Sequence, residues 1–296
     1  MGLTTKGRIP QFQGNLRAVV PTPTFSGRLT DDPADSINPN TGSGPGTGGS
    51  GVTFAEISGV GATDPNFSDV AFLLNYDATP FADASNNTLT ITQSGGSFET
   101  STVKFGAGAF NTNGTGFIQI GDDPVAELSN NDWTFETWIN FNAKTTGTQV
   151  IWTKPYPSNS GFGTILLQYQ GTNNDRFTLL GSSVDSQWNL TPSTFVNFTD
   201  TAPAVGVWAH IAVTCENGVI RLFQDGNLNT TYDSKPNHGG SPFTFSDTGS
   251  NWRLGKNRDV DNANIANCIY DDTRLTVGTA RYTASFTPPT SAFPTS

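Results

Sequence analysis

Positive charge is the first thing this chain has little of: 15 Lys and Arg stand against 25 Asp and Glu in 296 residues, a net charge of -10. Phosphate recognition relies on clustered cations, so a nucleic-acid surface is excluded. Cysteine is nearly absent too. Cys215 and Cys268 are too few for a disulfide framework or a thiolate metal cluster, and each falls in a predicted strand, where it reads as a small buried hydrophobe. No run of 18 apolar residues occurs, which argues against a spanning helix and membrane insertion. The opening Met1-Gly2-Leu3-Thr4-Thr5-Lys6 lacks the charged-then-apolar layout of a secretory signal, so the expectation is a soluble chain made in a cytosol. Glutamate appears only at 56, 99, 127, 136 and 216, while Gly, Thr, Ser and Asn abound. That balance disfavours helices and predicts a β-rich fold.

What is present falls into three parts. Residues 1–51 carry Pro10, Pro21, Pro23, Pro33 and Pro39, then the run Thr41-Gly42-Ser43-Gly44-Pro45-Gly46-Thr47-Gly48-Gly49-Ser50-Gly51, with no sustained period of 3.6 or 2. Such a segment cannot bury enough apolar surface to offset its ordering entropy, and it reads as an extended arm and linker. Residues 52–69, with Phe54, Ile57, Pro65 and Phe67, read as a connector that docks on the domain at 70–296.

Within 70–296, Val70-Ala71-Phe72-Leu73-Leu74 is a short apolar strand. In Trp133-Thr134-Phe135-Glu136-Thr137-Trp138-Ile139-Asn140-Phe141, alternation places Trp133, Phe135, Ile139 and Phe141 on one face and Glu136 and Trp138 on the other. Trp208 to Cys215, Asn217-Gly218 and Val219 to Gly226 spell a β-hairpin with a type I′ turn. The last strand reads Tyr270-Asp271-Asp272-Thr273-Arg274-Leu275-Thr276-Val277-Gly278, followed by Arg281-Tyr282, Phe286-Thr287-Pro288-Pro289 and Phe293-Pro294. The order of these motifs over residues 70–294 resembles laminin-G-like, concanavalin A-like jelly-roll domains of the type found in virion proteins of tailed bacteriophages. The resemblance implies an all-β, two-sheet antiparallel jelly-roll sandwich whose first and last strands adjoin, with the aromatic tail sealing one end.

Asp271 and Asp272 are the sharpest candidates for chemistry, although neighbouring strand residues point to opposite faces unless the strand bulges between them. By resemblance, Asp83 and Asn86 could converge with one of the two on a structural Ca²⁺. The alternative is that Asp83 and Asn86 cap a turn while Asp272 pairs with Arg274. Asp259-Val260-Asp261-Asn262-Ala263-Asn264 lacks the glycine and distant glutamate of a calcium loop and reads as solvated. His210 reads as a satisfied strand histidine. Glucanases of this fold pair acids along one strand face; Glu136 has Thr134 and Trp138 beside it instead, so no catalytic residue and no enzyme is expected. Trp188 and Trp252, in polar contexts, are the candidates for stacking on glycan.

The functional expectation is a virion structural protein of a tailed phage, made in the host cytoplasm, as a capsid decoration or tail-associated module. Residues 1–51 would anchor it to other virion proteins, as a homo-oligomer in the particle. The alternative is an adhesin that binds host surface glycan.

Overall fold

The computed structural model describes residues 63–296 except 157–161, 173–174, 185 and 258–263. The arm at 1–51 and nearly all of the oxygen-rich stretch 259–264 lie outside the described residues. A compact unit runs from Val60 to Ser296.

The described residues form fifteen strands and three short 3₁₀ turns, with no α-helix. The first eight strands are β1 Val70–Leu74, β2 Ile91–Ser94, β3 Ser97–Glu99, β4 Ala109–Asn111, β5 Phe117–Ile120, β6 Trp133–Phe141, β7 Thr148–Pro155 and β8 Gly163–Gln170. Then come β9 Arg176–Gly181, β10 Val196–Asn197, β11 Trp208–Glu216, β12 Val219–Gln224, β13 Asn227–Asp233, β14 Trp252–Leu254 and β15 Cys268–Val277. They build two antiparallel sheets, a jelly-roll-like sandwich. The first sheet runs β13-β12-β11-β6-β15-β4-β3, with β1 also paired to β15, and the second runs β10-β9-β8-β7-β14-β5-β2.

The strand alternation decides what lies between the sheets. Phe135 of β6 stacks on Trp152 of β7 at 4.3 Å, and Phe72 of β1 meets Trp252 of β14 edge-on at 6.1 Å. Trp252 is therefore a core residue, 1 % exposed, with its indole N–H donated to the Ala126 carbonyl at 3.1 Å. This corrects the expectation of a glycan-stacking Trp252: its ring has no free face. The polar neighbours Asn251 and Arg253 mask a three-residue strand that fills the gap between β5 and β7.

The hairpin forms as its turn residues dictate. Asn217 and Gly218 take φ of 47° and 76°, and β11 pairs with β12 in register from Glu216 and Val219. Cys215 and Cys268 are free thiols in the core. β1 pairs antiparallel with β15, so the first and last strands do adjoin.

All nine residues of β6 are buried, although only one of its faces meets the second sheet. The C-terminal tail covers the other. Tyr282 and Phe286 stack together and pack edge-on against His210 and Phe223, while Phe293 lies 4.1 Å from the Arg274 guanidinium. The tail thus roofs the outer face of the first sheet instead of plugging one end of the sandwich.

Candidate functional site

Under that roof lies a network of charges. Glu136 of β6 stands opposite Arg274 of β15 and Ala212 of β11. Arg274 Nη2 and Nε donate to Glu136 Oε1 at 2.6 and 3.0 Å, and its Nη1 donates to Asp64 Oδ2 at 2.8 Å. Arg281 adds two hydrogen bonds to Asp64, at 2.9 and 2.7 Å. Tyr282 Oη donates to Glu136 Oε2 at 2.8 Å, and His210 Nε2 lies 3.2 Å from the same oxygen. Burial pushes the Glu136 carboxyl up, but the charges of Arg274, His210 and Arg281 outweigh it and hold the group well below the usual carboxylate range. Burial likewise opposes Asp64, whose pairing with Arg281 and the Asn66 amide brings it down.

This arrangement fixes the tail and engages both oxygens of the Glu136 carboxylate. Glycoside cleavage needs two carboxyls roughly 5–9 Å apart on a face that substrate can reach. Glu136 is fully buried, and the groups it meets are cations and hydroxyls.

The two adjacent aspartates sit where β15 changes edge partner. Ile269 and Tyr270 pair with β4, residues 273–276 pair with β1, and between them the strand bulges, with Asp272 at φ 38°. The bulge resolves the facing problem noted in the sequence, and each carboxylate accepts backbone N–H groups left over at the junction. Asp271 Oδ2 accepts from Lys104 and Phe105 at 2.8 and 3.1 Å, and Asp272 Oδ2 accepts from Phe293 at 2.7 Å. Asp272 Oδ1 is buried with no partner. Burial raises Asp271 to about 6, and it raises Asp272 to about 8 with the charges of Asp271 and Asp77 adding to it. Arg274 pairs with Glu136 and Asp64 and not with Asp272, correcting that part of the expectation.

Asp83 has a different job. Its Oδ1 accepts from the Leu73 and Ser85 amides at 2.9 Å each, and its Oδ2 accepts from Ser85 Oγ and the Leu89 amide at 2.8 Å each. Four donors use the lone pairs that a cation would need, which fits the turn-capping alternative. Asn86 is exposed; it is Asn87 that reaches inward, to the Val70 and Ala71 carbonyls. The residues at 83, 86, 271 and 272 therefore do not fit a common Ca²⁺. Among the described residues, one set of three acidic groups has oxygens within 4.8 Å of one another: Asp122, Glu127 and Asp247. Sequence reading passed over this set, because its members come from two loops far apart in the chain, the β5–β6 and β13–β14 connections, and an ordinary strand lysine, Lys154, joins them.

Trp188, the other predicted stacking residue, is half-buried in the loop after β9. It packs on Val150, Leu166 and Leu180, which point outward from the second sheet, and meets Phe162 edge-on at 5.8 Å. Phe195 packs on the same patch, and Gln168 lies across from Val150 and Thr178 on the same sheet. Two rows of apolar and amide side chains thus lie on the outer face opposite the tail.

A sequence profile of the concanavalin A-like lectin/glucanases superfamily matches residues 111–276, more than half of the chain. The chain belongs to this superfamily. No curated protein matches the lectin-like chain in sequence. Domain 4 of AbnA, a GH43 extracellular arabinanase from Geobacillus stearothermophilus solved in complex with arabinotriose, is similar at a TM-score of 0.50 and 19% identity, over 72% of this chain and 94% of that one. The binding domain of botulinum neurotoxin serotype G is similar at 0.53 and 13% identity, over 71% and 48%. For the binding domain of Paraclostridial Mosquitocidal Protein 1 the values are 0.54 and 13%, over 73% and 50%. The chain spans about half the length of the two toxin domains. At such identities the likeness is one of fold.

Proposed function

We propose that this lectin-like domain binds carbohydrate without altering it, through the outer face of the second sheet beside Trp188. The observation that carries the reading is the contrast between the two outer faces. On the first, the tail covers the sheet and Glu136 is consumed by its partners. On the second, half-buried Trp188, Phe162 and Phe195 flank Leu166 and Leu180, with the Gln168 amide nearby. Flat rings next to amides suit sugars, whose apolar faces stack while their hydroxyls exchange hydrogen bonds. The arabinotriose held by domain 4 of the arabinanase, and the naming of both toxin domains as binding domains, agree with this reading.

Glycan-array binding by the full chain is the test. Wild type should bind a defined set of glycans, and Trp188→Ala should lose them while melting as wild type does. Absence of any bound glycan, or binding unchanged in Trp188→Ala, overturns the proposal.

The larger setting we propose is a phage particle, in which residues 1–51 anchor several copies to other virion proteins and display makes weak sugar binding effective. The support is the resemblance of the closing strand and tail, together with the proline and glycine content of residues 1–51. Deleting residues 1–40 should leave a folded domain that no longer enters particles; retained incorporation refutes the anchoring role.

A further inference from the structure

Lys154, next to last in β7, has a side chain with no solvent exposure. Its ammonium donates to Asp122 Oδ1 at 2.6 Å and to Glu127 Oε1. Asp122 follows β5, and Glu127 ends the 3₁₀ turn Pro124–Ala126, so the contact reaches past β14 to join segments that are not neighbours in the sheet. Asp247 completes the acidic set. Glu127 has a carboxylate oxygen within 4.8 Å of one on Asp122, and its Oε2 is buried with no partner.

A lone ammonium out of water is costly unless its partners compensate fully. Here the compensation is incomplete at Glu127, and the amine is held against a carboxyl by the fold, which replaces a bimolecular encounter with a local one.

We propose that Lys154 and Asp122 condense into an intramolecular amide, with Glu127 as the catalytic residue. A proton passes from the ammonium to the Asp122 carboxylate, leaving a neutral amine and a neutral acid. The Nζ lone pair attacks Cγ of Asp122, forming the N–C bond. The C–O bond to the hydroxyl breaks, and the hydroxyl leaves as water with a proton from Glu127, which regains one from Nζ. Ammonium plus carboxylate gives amide plus water, with no oxidant and no co-reactant. Burial raises the Glu127 carboxyl to about 7, which leaves it substantially protonated at neutral pH and able to serve as that acid. The product removes both charges from the site and clips two segments separated by 32 residues. In a chain whose two thiols are both free and buried, it would be a covalent staple of another kind.

Intact mass of the denatured full chain decides the matter. Wild type should be lighter than its sequence by one water, and proteolysis should yield a branched peptide joining the segments that carry Asp122 and Lys154. Lys154→Arg, Asp122→Ala and Glu127→Gln should each restore the full sequence mass. A wild-type mass equal to the sequence overturns the proposal whether or not the variants fold. A missing water that persists in Lys154→Arg overturns it as well, by placing the dehydration elsewhere; one that persists only in Glu127→Gln removes Glu127 from the reaction.

Discussion

Glu136 and Arg274 face each other across β6 and β15, joined by two hydrogen bonds to one carboxylate oxygen and sealed from water by the tail. A buried pair of this kind adds little over a well-packed apolar pair, but breaking it strands a charge. Arg274→Met leaves both Glu136 and Asp64 without their shared partner and should cost about 3–5 kcal/mol. Denaturant unfolding of the variant against wild type measures it, and a loss under about 1 kcal/mol would show the network to be relaxed.

Two sets of carboxyls pull stability in opposite directions with pH. Glu136 and Asp64 are lower in the folded state than unfolded, so their contribution is present above the ordinary carboxylate range and lost as pH falls. Asp271 and Asp272 are raised to about 6 and about 8, so what they contribute is present at low pH and lost as pH climbs through those values. Melting temperature should peak on the acid side of neutrality. Asp272→Asn keeps an acceptor for the Phe293 amide and removes the charge, so it should melt above wild type at pH 9, by a margin that narrows as pH falls towards the unfolded carboxylate range. Equal melting at pH 9 counts against the raised carboxyl.

Asp83 is a backbone acceptor, and its removal should show as lost stability with no metal dependence. Asp83→Ala abandons the Leu73, Ser85 and Leu89 amides and should cost about 2–4 kcal/mol, since charge-assisted bonds contribute more than neutral ones. Chelation should leave the wild-type melting temperature where it is. A drop on chelation, with stoichiometric calcium by elemental analysis, would restore the metal.

Gly226 is pressed against the tail. A Cβ there would stand 2.0 Å from the Phe286 carbonyl oxygen, and its φ of 75° is strained for any other residue. Gly226→Ala should loosen the tail, exposing the segment after Gly278 to proteases at concentrations that leave wild type intact.

Much of this architecture is legible in the residue order. The alternation of Trp133 to Phe141 and the Asn217-Gly218 turn follow from periodicity and turn chemistry, while the pairing of the first and last strands is what the family resemblance implies. Where a strand is too short to show a period, the reading fails: Trp252 sits in three residues, and its polar neighbours suggest a loop. Glu136 and Arg274 look solvated for a related reason, since their faces point away from the core and only the tail, distant in sequence, makes them interior. Asp64 belongs to a stretch read as a mere connector, yet it binds two arginines more than 200 positions away. The two aspartates at 271 and 272 were visible; the bulge that reassigns them to backbone amides was not, because it depends on where β4 ends and β1 begins.

The Asp64 amide donates to the Ser296 carbonyl at 2.9 Å. A sandwich whose path nearly meets itself can be rewired. A short linker across that gap, with new ends cut at the exposed Gly239-Gly240 turn, should yield a circular permutant with the same two sheets, and the domain could be spliced into a host loop without spreading its ends.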